Sequence, residues 1–327
     1  MIEQGSLYTG QTTKVRTARG VLPHDLPPYM IWNGDAERFL DRLPGEPLFD
    51  LVVSSPPYNI GKPYEKTVQL GKYLEWQSRI LKKVVTRLKP NGSLCWQVGN
   101  YVTSENGNGR GRITPLDYLF HPIFSQLNMI MRNRIIWRFG HGLHCQRRFS
   151  GRYEVLLWYT KSDSYTFNLD DVRVDSKYPG KRSYRGPRIG QYSSNPKGKN
   201  PEDVWDVTLK KFWDDPLWDI PNVKSQHVEK TNHPCQFPVG LVERLVLALT
   251  NKDELVFDPF AGVSSAGVAA AFHKRRFWGC EVQQEYVLQG QERIDAALRG
   301  EKNFRPHDKP IYDHTKSNLS RKPTDRQ

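Results

Sequence analysis

Between Phe49 and Leu298 the chain alternates short apolar, β-branched runs with stretches of helical periodicity, and one long irregular segment interrupts that alternation. Phe49 to Val53 reads as a buried strand that runs into the turn-forming Ser54-Ser55-Pro56-Pro57. Tyr73, Leu74, Ile80, Leu81, Val84, Val85 and Leu88 then recur at helical spacing, and Pro90-Asn91-Gly92 is expected to stop that helix. Strands are expected at Ser93 to Val98, around Ile135-Ile136-Trp137 and at Val155 to Tyr159. Thr114 and Pro115 suit the N-cap and first position of a helix reaching about Leu127. From Phe167 to about Gln226 the pattern gives way to frequent Pro, Gly and Ser, carrying the basic residues Arg173, Lys177, Lys181, Arg182, Arg185, Arg188, Lys197 and Lys199. This stretch reads as an inserted module or a long ordered loop. The alternation then resumes: a helix from Pro238 to Leu249, a strand at Leu255 to Phe257, a helix from about Ser264 to His273, a strand at Phe277 to Val282 and a helix from Glu285 to Leu298. The class is therefore α/β. Glu301 to Gln327 is charged, proline-containing and poor in aromatics, and is expected to be a mobile tail.

Composition narrows the partners. With 327 residues, 37% of them hydrophobic, the chain can bury one large core, or a core and a smaller module. Lys and Arg number 48 against 35 Asp and Glu, and a formal charge of +13 favours a polyanion. Charge alone does not separate nucleic acid from an anionic membrane. No stretch approaches the roughly 20 apolar residues of a membrane helix, and the polar start lacks a signal-peptide core, so no membrane partner and a cytoplasmic location are expected. Cys95, Cys145, Cys235 and Cys280 are scattered and read as reduced thiols. His141, His144 and Cys145 share a glycine-containing loop with no fourth ligand at useful spacing, and no metal is expected.

Two segments carry chemistry. Ser55-Pro56-Pro57-Tyr58 directly follows a buried strand, and its prolines fix the backbone and remove amide donors while Tyr58 presents a flat face. An exocyclic base amine is a poor nucleophile because its lone pair is delocalised into the ring. Acceptors on its hydrogens, such as the Ser55 hydroxyl and the Pro56 carbonyl, favour the pyramidal nitrogen of the transition state. Asp258-Pro259-Phe260-Ala261-Gly262 joins a strand to a helix whose first turn holds Ser264 and Ser265, an arrangement that receives a ligand carboxylate or phosphate. Glu281, ending the next strand, is placed to accept from ribose hydroxyls. Both segments sit at the carboxyl ends of expected strands, where open α/β sheets bind their ligands.

In motifs and in order the sequence resembles the amino-methylating DNA methyltransferases of the circularly permuted beta group. There the Pro-Pro-Tyr segment precedes the DNA-recognition insert and the cofactor segment follows it, as here. Asn33-Gly34-Asp35-Ala36 is similar to the short segment near the cofactor adenine, and Arg152 to Lys161 to the strand between catalytic and recognition regions. His233-Pro234-Cys235-Gln236-Phe237-Pro238 is similar to the signature that contacts the methionine part of the cofactor. Gly262-Val263-Ser264-Ser265 departs from the family's Gly-Ser-Gly, and Phe237 from its common lysine.

The resemblance implies a Rossmann-like S-adenosylmethionine-dependent methyltransferase fold, with a mostly parallel seven-stranded sheet and an inserted DNA-recognition region. It divides the chain into an N-terminal arm (1–30), a catalytic half (31–166), the recognition insert (167–226), a cofactor half (227–300) and the tail (301–327). Ser55, Pro56, Pro57 and Tyr58 are its catalytic residues. Asp35, Ala36, His233, Pro234, Gln236, Asp258, Pro259, Phe260, Gly262, Ser264, Ser265 and Glu281 are its cofactor residues, with Asp258 near the cofactor amino group, Phe260 against its adenine and Glu281 on its ribose. Lys177, Lys181, Arg182, Arg185 and Arg188 are expected to follow double-stranded DNA. The 141–145 loop is expected to close over a flipped base. Ser55 at the first catalytic position implies cytosine N4 as target rather than adenine N6. A restriction-modification setting with a partner endonuclease, and a monomer or a homodimer, complete the expectation. The rival of another class is a DNA-binding regulator with an inactive methyltransferase core.

Overall fold

The computed structural model describes residues 6–9, 27–62, 65–102, 112–139, 144–176, 178–206, 220, 222–223 and 227–306. The first half contains β1 (Ser6–Thr9), β2 (Tyr29–Asn33), α1 (Ala36–Arg42), β3 (Phe49–Ser54), α2 (Leu70–Arg87), β4 (Leu88–Val98), β5 (Asn100–Val102), β6 (Ile113–Pro115), α3 (Leu116–Gln126), β7 (Ile130–Arg138) and β8 (Tyr153–Thr160). The second half adds β9 (Val204–Asp206), α4 (Val239–Leu249), β10 (Leu255–Asp258), α5 (Ser265–Phe272), β11 (Arg276–Glu281) and α6 (Gln284–Leu298). Among the described residues no helix is long and apolar enough to cross a membrane.

A nine-stranded sheet runs in the order β1-β2-β11-β10-β3-β4-β8-β7-β9. The pairs from β2 through β4 are parallel, and β8 enters antiparallel to both β4 and β7. Every residue of β3 and of β10 is buried, because helices cover both faces of the sheet. Successive side chains alternate between the faces. Leu51, Val53, Val256 and Phe277 pack with α4, α5 and α6, whereas Val52, Phe257 and Trp278 pack with α1, α2 and α3. On that second face Phe49 and Phe257 stack with ring centroids 4.3 Å apart.

The expected seven strands correspond to β2, β11, β10, β3, β4, β8 and β7, and two edge strands add to them. One is β1, antiparallel to β2, from the N-terminal arm. The other is β9, parallel to β7, from within the irregular segment. That segment is tied to the core rather than merely attached to it. Val172, Trp205 and Ile220 are buried, and the Trp137 indole donates to the Ile220 carbonyl at 2.8 Å.

Three local expectations need correcting. Thr114 and Pro115 do not open the third helix: they belong to β6, paired with β5, and α3 begins at Leu116. Pro90-Asn91-Gly92 lies inside β4, beside an irregularity in register with β3 that accommodates it. The tail begins with ordered chain, since Phe304 is buried edge-on to Phe272 with centroids 5.1 Å apart. Residues 307–327 lie outside the described residues.

Candidate active site at the carboxyl ends of the central strands

β3 and β10 lie side by side, in register at Leu51 with Val256 and at Val52 with Phe257. The chain leaves β3 for α2 on one face and leaves β10 for α5 on the other. A topological switch point therefore opens between the two strand ends. The Ser54 hydroxyl, at the end of β3, donates to Asp258 Oδ1 at the end of β10 over 2.5 Å. Both residues are buried, so this bond sews the two chemical segments together across the crevice.

On the β3 side, the Tyr58 hydroxyl lies 3.1 Å from Ser55 Oγ and donates to Glu154 Oε2 at 3.3 Å. The same Oε2 accepts from the Gln97 amide. Burial, then the neighbouring Glu154 charge, hold the Tyr58 phenol well above its usual range, so it stays protonated. Burial also raises the Glu154 carboxyl, against the hydrogen bonds from Gln97 and Tyr58. A β-carbon on Gly99 would come within 3.0 Å of the Tyr58 ring, so the missing side chain there is what gives the ring its place. Beyond Tyr58 the chain is braced. Asn59 takes a left-handed φ of 61° and exchanges two hydrogen bonds with the Val68 backbone, while Glu65 accepts from the amides of Asn59, Ile60 and Lys62.

On the β10 side, Asp258 Oδ1 also accepts from the Phe260 amide at 3.0 Å. Burial pushes its pKa up to about 7, opposed by the Ser54 and Phe260 hydrogen bonds and assisted by Glu281. Glu281 accepts from the Gly262 amide at 3.0 Å and the Gln283 amide at 2.7 Å, which keeps its carboxylate at the crevice wall with lone pairs to spare. Gly262 has φ +52°, and a β-carbon there would meet His233 Nε2 at 3.2 Å, so glycine serves both the turn and the close approach. His233 packs edge-on to Tyr286 at 4.7 Å, and burial lowers its pKa to about 4, which keeps the imidazole neutral. Asp35 caps α1 by accepting from the Arg38 amide at 2.9 Å.

These elements enclose one cavity of about 900 Å³. Ser55, Pro56, Pro57 and Tyr58 line it together with Asp35, Ala36, His233, Pro234 and Gln236, and with Asp258, Pro259, Phe260, Gly262, Ser265 and Glu281. Ser264 does not. It is fully buried in a left-handed conformation at the start of α5, packed so closely on α6 that a β-carbon at Gly290 would lie 2.5 Å from its hydroxyl. The Gln236 amide, although on the wall, is engaged within its own loop by Thr231 and the Glu229 carbonyl. Reading the sequence missed Gln97, Glu154, Glu65 and Trp76, all of which line the cavity, and Ser54 beneath it. Because β8 runs antiparallel, its first residues lie at the same sheet edge as the carboxyl ends of its parallel neighbours, and that is the signal that could have found Glu154.

The basic residues of the irregular segment lie elsewhere. Arg173, Lys181, Arg182, Tyr184, Arg185 and Lys199 line a separate concavity of about 670 Å³. Arg182 lies 4.2 Å over the Tyr192 ring and Arg185 5.2 Å over Tyr184, so both guanidinium groups are held near aromatic faces. Arg188 ends a short 3₁₀ turn nearby, and Lys177 lies outside the described residues. His141 also lies outside them, whereas Cys145 and Arg148 reach the wall of the larger cavity.

A family model described as DNA methylase matches residues 49–292, from the first residue of β3 into α6. The chain belongs to the DNA methylase family. It is similar to the type II methyltransferase M.BglII of Bacillus subtilis, 43% identical over 257 residues that make up 79% of this chain and 66% of that protein. It is also 29% identical over 272 residues to the DNA adenine methyltransferase YhdJ of Escherichia coli K12, covering 82% of this chain and 83% of YhdJ. Among solved structures, it is similar to a DNA modification methylase from Thermus thermophilus in complex with S-adenosyl-L-methionine, with a TM-score of 0.55, 25% identity, and coverage of 82% of this chain and 93% of that one.

S-adenosyl-L-methionine is the molecule held in that Thermus thermophilus structure. The donor set around the cavity fits it. A carboxylate stands at the wall for hydroxyl donors, a buried acid for a cationic group, and the Phe260 ring, edge-on to Trp76 at 5.5 Å, for a flat heterocycle. The Gly262 turn, closed on one side by His233, lies on the same wall.

Proposed function

We propose that this DNA methylase transfers a methyl group to the exocyclic amine of a base flipped out of duplex DNA, with cytosine N4 as the target, in a restriction-modification setting. The observation that carries this reading is the junction at the switch point: the Ser55 to Tyr58 turn and the Asp258 turn face one cavity and are joined beneath it by Ser54 and Asp258. When bound, S-adenosylmethionine supplies an electrophilic methyl carbon. Asp258, Glu281 and Phe260 hold and orient it, and Ser55 Oγ with the Pro56 carbonyl accept the amine hydrogens. Tyr58 offers its ring to the base, whose extraction from the duplex costs roughly a few kcal/mol, offset in part by stacking of about 1–3 kcal/mol.

Cytosine N4 rests on Ser55, a neutral acceptor at the position where the family that the sequence resembles usually places Ser for cytosine N4 and Asp or Asn for adenine N6. The competing reading is adenine N6, favoured by the similarity to YhdJ. Duplex DNA treated with the protein and S-adenosylmethionine, then digested to nucleosides, is expected to yield N4-methylcytosine by mass spectrometry. N6-methyladenine alone would overturn the base assignment and leave amino methylation standing; C5-methylcytosine would overturn both. Gel shifts without any methyl incorporation would favour a DNA-binding regulator with an inactive core.

The basic concavity is assigned to the DNA backbone. Replacing Lys181, Arg182 and Arg185 together by Ala should weaken DNA binding and reduce the slope of log affinity against log salt by about 0.9 for each phosphate that is no longer neutralised. An unchanged slope and affinity would place the DNA elsewhere.

A further inference from the structure

Ser55, Tyr58 and Glu154 form a hydrogen-bonded series whose polarity is set by one proton. Tyr58 has a single hydroxyl hydrogen and gives it to Glu154 Oε2 at 3.3 Å. The contact of 3.1 Å between the two hydroxyls must then be donated by Ser55, which leaves the Ser55 lone pairs free to accept. Gln97, from β4, donates to the same Oε2 and stabilises the carboxylate as an anion. Both links from Ser55 onward therefore point one way, from the crevice toward Glu154.

We propose that this series is a proton exit, with Glu154 as the terminal acceptor for the proton released when the base amine is methylated. The relay rests on the amino-methylating reading above. In the transfer, the amine nitrogen forms a bond to the methyl carbon, the carbon–sulfur bond breaks and its electron pair stays on sulfur. The nitrogen is left cationic and strongly acidic. Its proton passes to Ser55 Oγ, the Ser55 proton passes to Tyr58 Oη, and the Tyr58 proton passes to Glu154, which ends neutral until it re-equilibrates with water. Glu154 thus acts through Tyr58 and Ser55 and does not itself touch the base.

The surroundings favour an acceptor here. The groups facing Glu154 are Tyr58 from the turn after β3, Gln97 on β4 and, opposite in register on β7, Trp137. Asp35, Lys62, Glu65, Lys66, Lys72, Arg148, Asp258 and Glu281 are the charged groups elsewhere on the same cavity wall, and no ion pair with Glu154 is formed among the described residues. Burial raises the carboxyl above its ordinary range, which makes it a better base than an exposed glutamate.

The test is single-turnover methyl transfer to duplex DNA, followed from acid to neutral pH with saturating cofactor. In the wild type the rate should fall as pH drops through the raised pKa of Glu154, because a protonated acceptor takes no proton and can reverse the polarity of the series. Glu154→Gln should slow the step by about 100-fold or more and remove this acid limb, with DNA and cofactor affinities kept. Tyr58→Phe, which retains the ring and breaks the series, should do the same and serves as the check if Glu154→Gln fails to fold. Glu154→Asp should restore part of the rate and the limb. An active wild type whose Glu154→Gln or Tyr58→Phe form keeps both rate and limb overturns the relay alone. A wild type that moves no methyl group to DNA overturns the proposed function and the relay with it.

Discussion

Asp258→Ala is expected to weaken S-adenosylmethionine binding by about 10- to 100-fold, the effect of removing a charge-assisted contact of roughly 1.5–3 kcal/mol. The sheet should remain folded, with a cost of about 1–3 kcal/mol because the Ser54 hydroxyl, buried at the end of β3, loses its acceptor. Calorimetry on the purified protein checks the first effect and thermal melting the second; unchanged affinity would remove Asp258 from the cofactor site.

The same residue makes a pH prediction whose sign is fixed. With its pKa pushed up to about 7 by burial, Asp258 holds a proton below that pH and meets a cation only after losing it. Affinity for the cofactor should therefore rise with pH and level off above about 7. Binding below that point should release a proton, seen as buffer-dependent heat. The stability of the ligand-free protein should move the opposite way. A carboxyl whose folded pKa lies above its unfolded value contributes stability at low pH that is lost as pH rises through the folded pKa. Asp258→Asn should flatten both dependences, and a retained pH slope in affinity would assign the linkage to another group.

Tyr58→Ala should produce the largest loss of turnover. Stacking alone contributes about 1–3 kcal/mol, or up to about 100-fold in rate at roughly 1.36 kcal/mol per decade. Removing the hydroxyl also leaves Ser55 Oγ and Glu154 without their shared partner. The loss should exceed about 100-fold in total, on either target base, with cofactor affinity little changed. Rapid-quench measurement of methyl transfer against Tyr58→Phe separates the two contributions. A Tyr58→Ala enzyme of near wild-type rate would rule out the ring as a base platform.

Much of the fold was legible because its central strands are covered on both faces. Residues 51–53 and 255–257 read as continuous apolar runs, and α2 and α6 are long enough to display a helical period. What escaped is short or locally overridden. α1 spans seven residues, too few for its period to stand out, and β2 before it went unread. Pro115 favours a helix start by its own geometry, yet the pairing of β6 with β5 takes it and moves the start to Leu116. The site was legible where a motif occupies a turn, as at 55–58 and 258–262. It was not legible where one polar residue sits in a strand: Gln97 and Glu154 pass for ordinary rim residues until antiparallel β8 brings Glu154 to Tyr58. Ser264 shows the reverse, a residue of suitable type that its left-handed backbone turns toward α6.

The short strand β9 bears on how the protein can be handled. It pairs with the outer side of β7 at Ile136, Trp137 and Arg138, and without it those residues would present open amides and carbonyls at that edge. Exposed apolar strand edges recruit strands from other molecules, whereas a three-residue edge such as β9 offers little to pair with. A version trimmed of 167–226 to isolate the methyl-transfer core should therefore self-associate in a concentration-dependent way, and one retaining 199–206 with its pairing to β7 should stay dispersed.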